Sequence, residues 1–230
     1  LFAAAAFWWI LSAEPFGLSK VIGLGNKSDV DDSEALEYLV DDEDTKVIAI
    51  YMEGVKDGSR FLKAVRQAAS RKPVLILKSG RTEAGIKTSL SHTGSLAVKD
   101  EIFEAVCKQT GVIRVRDFEE LMDFLKAFAL QPLPNGNKVA ILSMTGAGCV
   151  MAADECENHS LEVAQLSDRT VKYLESYMPS WLKVQNPMDT EMLFESVGPE
   201  DCLKISLGAV LGDENVDCVV GVLPTSPLFA

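Results

Sequence analysis

Residues 78–96 read Lys-Ser-Gly-Arg-Thr-Glu-Ala-Gly-Ile-Lys-Thr-Ser-Leu-Ser-His-Thr-Gly-Ser-Leu. The apolar run Val74-Leu75-Ile76-Leu77 comes just before, and the helix-like Val98-Lys99-Asp100-Glu101-Ile102-Phe103 comes just after. The pattern predicts a long polar loop at the C-terminal end of a buried strand. In open α/β sheets that edge is where ligands bind. Lys78, Arg81 and Lys87, set among glycines and hydroxyl side chains, suit an anion. At the centre stands His92, one of two histidines in the chain. A neutral imidazole can attack phosphorus near neutral pH and carry a covalent intermediate. Composition alone fits equally well a solvated loop with an idle histidine.

Working outward, the flanking sequence alternates between strands and helices. Upstream, Thr45–Met52 is a continuous apolar strand ending at Glu53-Gly54, and Asp57–Ser70 is an amphipathic helix with Phe61, Leu62, Val65 and Ala68 inward. Before them, Lys20–Leu24 is expected as a short strand, and Asp31 or Asp32 as the cap of a helix running to about Val40. Leu1–Ala13 reads as a helix that is apolar nearly all round, stopped by Pro15 and Gly17. Downstream come helix 98–109, strand Val112–Val115 and helix Phe118–Leu130. Strands that are apolar throughout imply a parallel sheet covered on both faces, with right-handed crossovers.

Gln131-Pro-Leu-Pro-Asn-Gly-Asn137 breaks any regular element and marks a boundary. The alternation then restarts. Lys138–Ser143 is expected as a strand, Thr145-Gly-Ala-Gly148 as a tight turn and Cys149–Asn158 as a helix. A second helix spans about 167–178, Trp181–Thr190 is a loop, and a helix near 199–211 leads to strand Asp217–Leu223. The fold class is therefore α/β with two consecutive units, 1–131 and 138–230.

Composition narrows the function. The chain has 230 residues, 47% hydrophobic and 24% charged, as in an ordinary globular protein, and a net charge of −12. That charge argues against a nucleic-acid or anionic-membrane partner. The five cysteines show no metal-ligand spacing, so no metal site is expected, and a reduced cytoplasmic setting is the plain inference. The run Leu1–Leu11 is too short to span a bilayer. Both chain ends read as cuts through a longer protein.

Other residues invite chemistry. Glu53, at a strand end, could hold one nitrogen of a histidine and leave the other free to attack, or it could be a solvated glutamate. Thr145, Gly146 and Gly148 join a strand to a helix N-terminus, a generic anion cradle that tight packing explains as often. Cys149 is expected as a buried small side chain, His159 as a surface residue and Asp41–Asp44 as a solvated acidic loop.

Lys78–Gly85 followed by Ser91-His-Thr-Gly-Ser-Leu-Ala97 closely resembles the phosphohistidine loop of the NDP-forming acyl-CoA synthetases. That family includes ADP-forming acetyl-CoA synthetase and is related to succinyl-CoA synthetase. The resemblance implies that His92 is phosphorylated, within a phosphate loop of Lys78, Gly80, Arg81, Ser91, Thr93, Gly94 and Ser95. Tyr51–Gly58 resembles the segment whose glutamate faces the phosphohistidine, which points to Glu53. Thr145–Gly148 is similar to the family's Asn-Gly-Ala-Gly turn, although Met144-Thr145 departs from its asparagine. Asn186-Pro-Met-Asp189 is similar to an Asn-Pro-Val-Asp segment with a loop-holding role.

By this resemblance the two units are flavodoxin-like, succinyl-CoA synthetase-like three-layer domains with parallel sheets. The first, 1–131, carries the phosphohistidine loop and is truncated at its start; the second, 138–230, is a smaller ligase domain truncated at its end. The implied reaction is acyl-CoA + NDP + phosphate ⇌ carboxylic acid + CoA + NTP. CoA and ATP or ADP with Mg²⁺ are its substrates, bound mainly outside this chain, and no tightly bound cofactor is expected. The implied partners are a CoA-binding Rossmann domain and an ATP-grasp domain or subunit, with a small-molecule carboxylate or acyl-CoA as substrate. The full-length form is expected to be an oligomer. The alternative is a ligand-sensing module of a protein-lysine acetyltransferase, in which such regions often lose the histidine that this chain keeps.

Overall fold

The computed structural model describes residues 9–82, 84–87 and 99–223. His92, Ser91, Thr93, Gly94 and Ser95 lie outside the described residues, as does most of the run Leu1–Leu11. By backbone contacts the chain divides into Leu1–Pro132 and Leu133–Ala230.

In the first unit three parallel strands pair in the order β1 (Ile48–Met52), β2 (Val74–Lys78) and β3 (Ile113–Val115). The ladder runs from Ile48↔Val74 to Met52↔Lys78, and Leu77 lies opposite Val115. β1 starts three residues later than its apolar run suggests. Its first pairing residue, Ile48, donates to the Pro73 carbonyl, and Pro73 has no N–H with which to extend the ladder.

Helices follow from local signals. α1 (Asp32–Asp41) opens on a reciprocal capping box, Asp31 accepting from the Ser33 and Glu34 amides while the Glu34 carboxylate accepts from the Asp31 N–H. α2 (Gly58–Ala69) is capped by Asp57, and α4 (Phe118–Leu130) by Asp117. α3 (Asp100–Thr110) ends at Gly111 with φ 76°, a conformation that favours glycine.

Alternation along the strands sorts the core. Ile48, Met52, Val74 and Ile76 pack with Leu36, Val65 and Phe103 of α1, α2 and α3. Leu75 and Val115 face the opposite way, against Leu121, Met122 and Leu125 of α4. The result is a sheet between two helical layers.

The expected strand Lys20–Leu24 is not one. Those residues line, together with β1, a cleft of about 830 Å³, and among the described residues they pair with no strand. Of the N-terminal helix, the described part is Trp9–Leu11.

The second unit centres on β4 (Lys138–Ser143). One edge pairs β7 (Cys218–Val222); the other pairs the two-residue strands β5 (Glu162–Val163) and β6 (Met188–Asp189), all parallel. α5 (Gly146–Asn158) packs on Val139 and Ile141. α6 (Asp168–Glu175), α7 (Glu191–Val197) and α8 (Pro199–Leu211) cover Ala140 and Leu142. β5, β6 and α7 are too short to show a period, and the sequence does not reveal them. Among the described residues no helix is long and apolar enough to cross a membrane.

Candidate functional site

The C-terminal edge of the first sheet brings together Glu53 and the described start of the polar loop. Met52 and Lys78 are register partners, and the Ser79 amide donates to the Met52 carbonyl at 3.0 Å. Glu53 therefore leaves β1 beside the point where residues 79–87 leave β2. The Tyr51 hydroxyl stands 3.4 Å from Glu53 Oε1 and 3.2 Å from Ser79 Oγ, so one phenol links the glutamate to the start of the loop. It has one proton to give, and the serine hydroxyl can return the second bond.

The loop opens on Gly80, whose φ of 69° favours glycine. Thr82 starts a helical turn at 84–87, with Gly85 donating to its hydroxyl and Ile86 to its carbonyl. Arg81 is exposed and donates to the Arg116 carbonyl at 3.2 Å.

Lys78 departs from the phosphate-facing role expected of it. Its side chain is 1% exposed, on the sheet face under α3. The ammonium sits 3.8 Å from Asp100 Oδ1, 3.3 Å from the Ser79 and Gly80 carbonyl oxygens, and 5.6 Å from the centre of the Phe103 ring. Burial pushes its pKa below the usual lysine value, against the pull of Asp100. The reason is periodicity: Val74, Ile76 and Lys78 share one face of β2, and the loop bends away after it.

Two further ties have little signature in the sequence. Lys27, with φ 57°, donates to Asp32 Oδ2 at 2.6 Å and to the Gly54 carbonyl at 2.8 Å, joining the turn before α1 to the residue after Glu53. Arg114 of β3 donates to Asp100 at 2.6 Å and to Glu104 at 2.9 Å. A basic residue between Ile113 and Val115 is the available signal.

The model for the succinyl-CoA ligase-like flavodoxin domain matches residues 2–128. The chain belongs to this family. Over 204 residues it is 45% identical to ADP-forming acetate–CoA ligase II of Archaeoglobus fulgidus, covering 89% of this chain and 30% of that protein. Over 217 residues it is 40% identical to the alpha subunit of ADP-forming acetate–CoA ligase II of Pyrococcus furiosus, covering 94% and 46%. Among solved structures it is similar to dinucleotide-forming acetyl-coenzyme A synthetase 1 of Ca. Korarchaeum cryptofilum, in complex with phosphate and ADP. There the TM-score is 0.86 at 27% identity, over 99% of this chain and 48% of that one. The chain thus spans less than half the length of these relatives.

Beyond the flavodoxin match, the glycine turn of the second unit forms the first turn of α5, so that helix starts three residues before the expected Cys149. Thr145 caps it, accepting from the Gly148 amide at 3.1 Å. A Cβ at Gly148 would collide with the Ser143 hydroxyl and crowd Thr145 and Val222, so packing alone requires this glycine. Gly146 faces Asp189, whose Oδ2 would be 3.5 Å from an added Cβ. Burial raises the Cys149 thiol, with Asp189 adding to the effect, as suits an inert side chain. Burial likewise pushes Cys107 up to about 11. His159 is exposed beside Glu155.

Asn186 holds its loop in place. Its side-chain amide accepts from the Ile141 N–H at 2.7 Å and donates to the Val139 and Ala164 carbonyls at 2.7 and 2.8 Å. It fills the stretch of β4's edge between β5 and β6. Among the described residues no cluster of metal-ligating side chains occurs.

Proposed function

We propose that this chain is the phosphoryl-carrying part of an NDP-forming acyl-CoA synthetase, an acid–thiol ligase interconverting acyl-CoA + ADP + phosphate with carboxylate + CoA + ATP. In the direction of ATP formation, phosphate displaces CoA from the acyl group to give an acyl phosphate. An imidazole nitrogen of His92 takes the phosphoryl group and releases the carboxylate, and the phosphohistidine then passes it to ADP. Residues 1–131 are the domain that carries this loop, and 138–230 a second ligase domain. CoA and the nucleotide with its Mg²⁺ are substrates held mainly by a CoA-binding domain and an ATP-grasp domain or subunit, in the cytoplasm.

One observation carries the reading: Glu53 and the start of the His92 segment leave adjacent strands at the same sheet edge, joined by the Ser79–Met52 backbone bond. A carboxylate there can fix the imidazole tautomer and stabilise the positive charge of a phosphorylated ring. The relatives named above, acetate–CoA ligases that form ADP, support the same chemistry. Arg81, on the loop and exposed, remains available to a phosphate; Gly80 shapes its entry. Thr145, Gly146 and Gly148 form a capped helix start, which the proposal includes as a second turn open to an anion.

The test is ATP formation by the complete protein, with any partner subunit, from ADP, phosphate and a panel of acyl-CoA thioesters. ATP made in step with free CoA supports the proposal. No ATP with any thioester, from protein that is folded and complete, overturns it.

A further inference from the structure

The first unit contains a buried charged cluster that the proposed chemistry does not use. Lys78 is the last residue of β2 and Asp100 the first of α3, so in sequence they flank the whole segment that carries His92. In space their charged atoms are 3.8 Å apart. Arg114 sits on β3 opposite Ile76, on the same face as Lys78, and grips Asp100 and Glu104 one turn apart on α3. Phe103 neighbours both, with the Lys78 ammonium and the Arg114 guanidinium 5.6 and 5.5 Å from its ring centre. Two cations and two carboxylates balance, and Lys78 spends its hydrogen bonds on the carbonyls of Ser79 and Gly80.

We propose that Lys78, Asp100 and Arg114 are positioning residues that clamp the entry and exit of the His92 segment to one point of the sheet edge. The clamp fixes where the segment can present its histidine to Glu53. This inference rests on the functional reading above.

The energetics separate positioning from plain stabilisation. A lysine sealed under a helix loses hydration, and its lowered pKa reports that the site disfavours the charge. Removing Lys78 leaves Asp100 with Arg114 at 2.6 Å, while the Ser79 and Gly80 carbonyls lose the ammonium as a donor. Replacing a whole buried ion pair by apolar side chains is often neutral or stabilising, whereas removing one partner is costly, so stability and adduct rate have to be read separately.

The experiment uses the complete protein with any partner subunit. The rate of phosphohistidine formation from acetyl-CoA and phosphate is measured in a single turnover for wild type, Lys78→Met, Asp100→Asn, the double variant and His92→Ala, beside thermal melting. The clamp predicts that Lys78→Met, assayed at a temperature where its melt shows it folded, forms the adduct about tenfold to a hundredfold more slowly than wild type, the scale of a misplaced reacting group. Asp100→Asn, which keeps the side-chain shape, should slow the adduct comparably, and the double variant should be no slower than the slower single. Steady-state KM for acetyl-CoA should stay within about twofold, since the substrate site is untouched. Adduct formation at the wild-type rate in both singles, or losses that multiply in the double variant, would overturn the clamp. If Lys78→Met fails to fold, Asp100→Asn alone decides: a wild-type rate overturns the clamp, a slowed rate with unchanged KM upholds it. A normal adduct in His92→Ala would sink the functional reading instead, which keeps the two failures apart.

Discussion

At the scale of single residues, Glu53 is held by more than its place at a strand end. Tyr51 on the same strand reaches both its carboxylate and Ser79, so the phenol ties the glutamate to the loop entry. Under the proposed chemistry Glu53→Gln keeps a hydrogen-bonding group but loses the charge that stabilises a phosphorylated ring. Single-turnover labelling should show phosphorylation slowed by about 2–4 kcal/mol in barrier. An unchanged rate would remove Glu53 from the mechanism. Gly148 makes a purely structural case. Gly148→Ala must push a methyl group against Ser143, Thr145 and Val222, and denaturant melts should show a loss of about 1–3 kcal/mol. Both positions are legible in sequence, Glu53 through its strand-end position and Gly148 through its turn, because each depends on neighbours a few residues away. The burial of Lys78 is less legible: a lysine after an apolar run reads as solvent-facing, and only the layer of α3 above it decides otherwise.

Elements show the same division. Helices with side-chain caps, such as α1, α2 and α4, are readable nearly to the residue, since Asp31, Asp57 and Asp117 announce their starts locally. The segment Lys20–Leu24 reads as a strand and is none, because a strand is a property of two chains in register, which its own composition cannot supply. Arg114 and Asp100, fourteen residues apart, meet only once β3 has paired with β2. The loop before β6 depends on Asn186, whose amide substitutes for strand backbone against Val139, Ile141 and Ala164. Asn186→Ala takes the acceptor from the Ile141 N–H and a donor from the Ala164 carbonyl, while Val139 keeps the Ala164 amide. With each unmet partner worth about 1–3 kcal/mol, the melt of the second unit should fall sharply. A shift below about 1 kcal/mol would mean that other contacts hold this edge. Carboxylates at helix starts contribute to the response to acid. The hydrogen bond from Arg114 holds the Asp100 carboxyl below its ordinary value of 3.8. At Asp31 the amides of Glu34 and Ser33 outweigh an opposing effect of burial, with the same result. A folded pKa below the unfolded one means stability that is complete above the ordinary aspartate range and is lost as pH falls through the folded value. Acid unfolding of Asp100→Asn should therefore be shallower than that of wild type below that range; an identical slope would show that the ion pair contributes nothing.

For the whole molecule, two parallel-sheet units in succession and a family match over residues 2–128 frame a chain that spans less than half the length of its relatives. The alternation of apolar strands and amphipathic helices makes the α/β class readable, and the Pro-rich stretch at 131–137 falls where the backbone contacts divide. Under the proposed function the chemistry belongs to a polar segment whose sequence, rather than any composition or period, points to phosphoryl transfer. The central claim is that His92 carries the phosphoryl group. The complete protein, incubated with acetyl-CoA and labelled phosphate and then digested, should yield one acid-labile, base-stable phosphopeptide containing His92. His92→Ala should lose that adduct and ATP formation together, because a covalent nucleophile has no substitute in the loop. Label on another residue, or full activity in His92→Ala, would contradict the account.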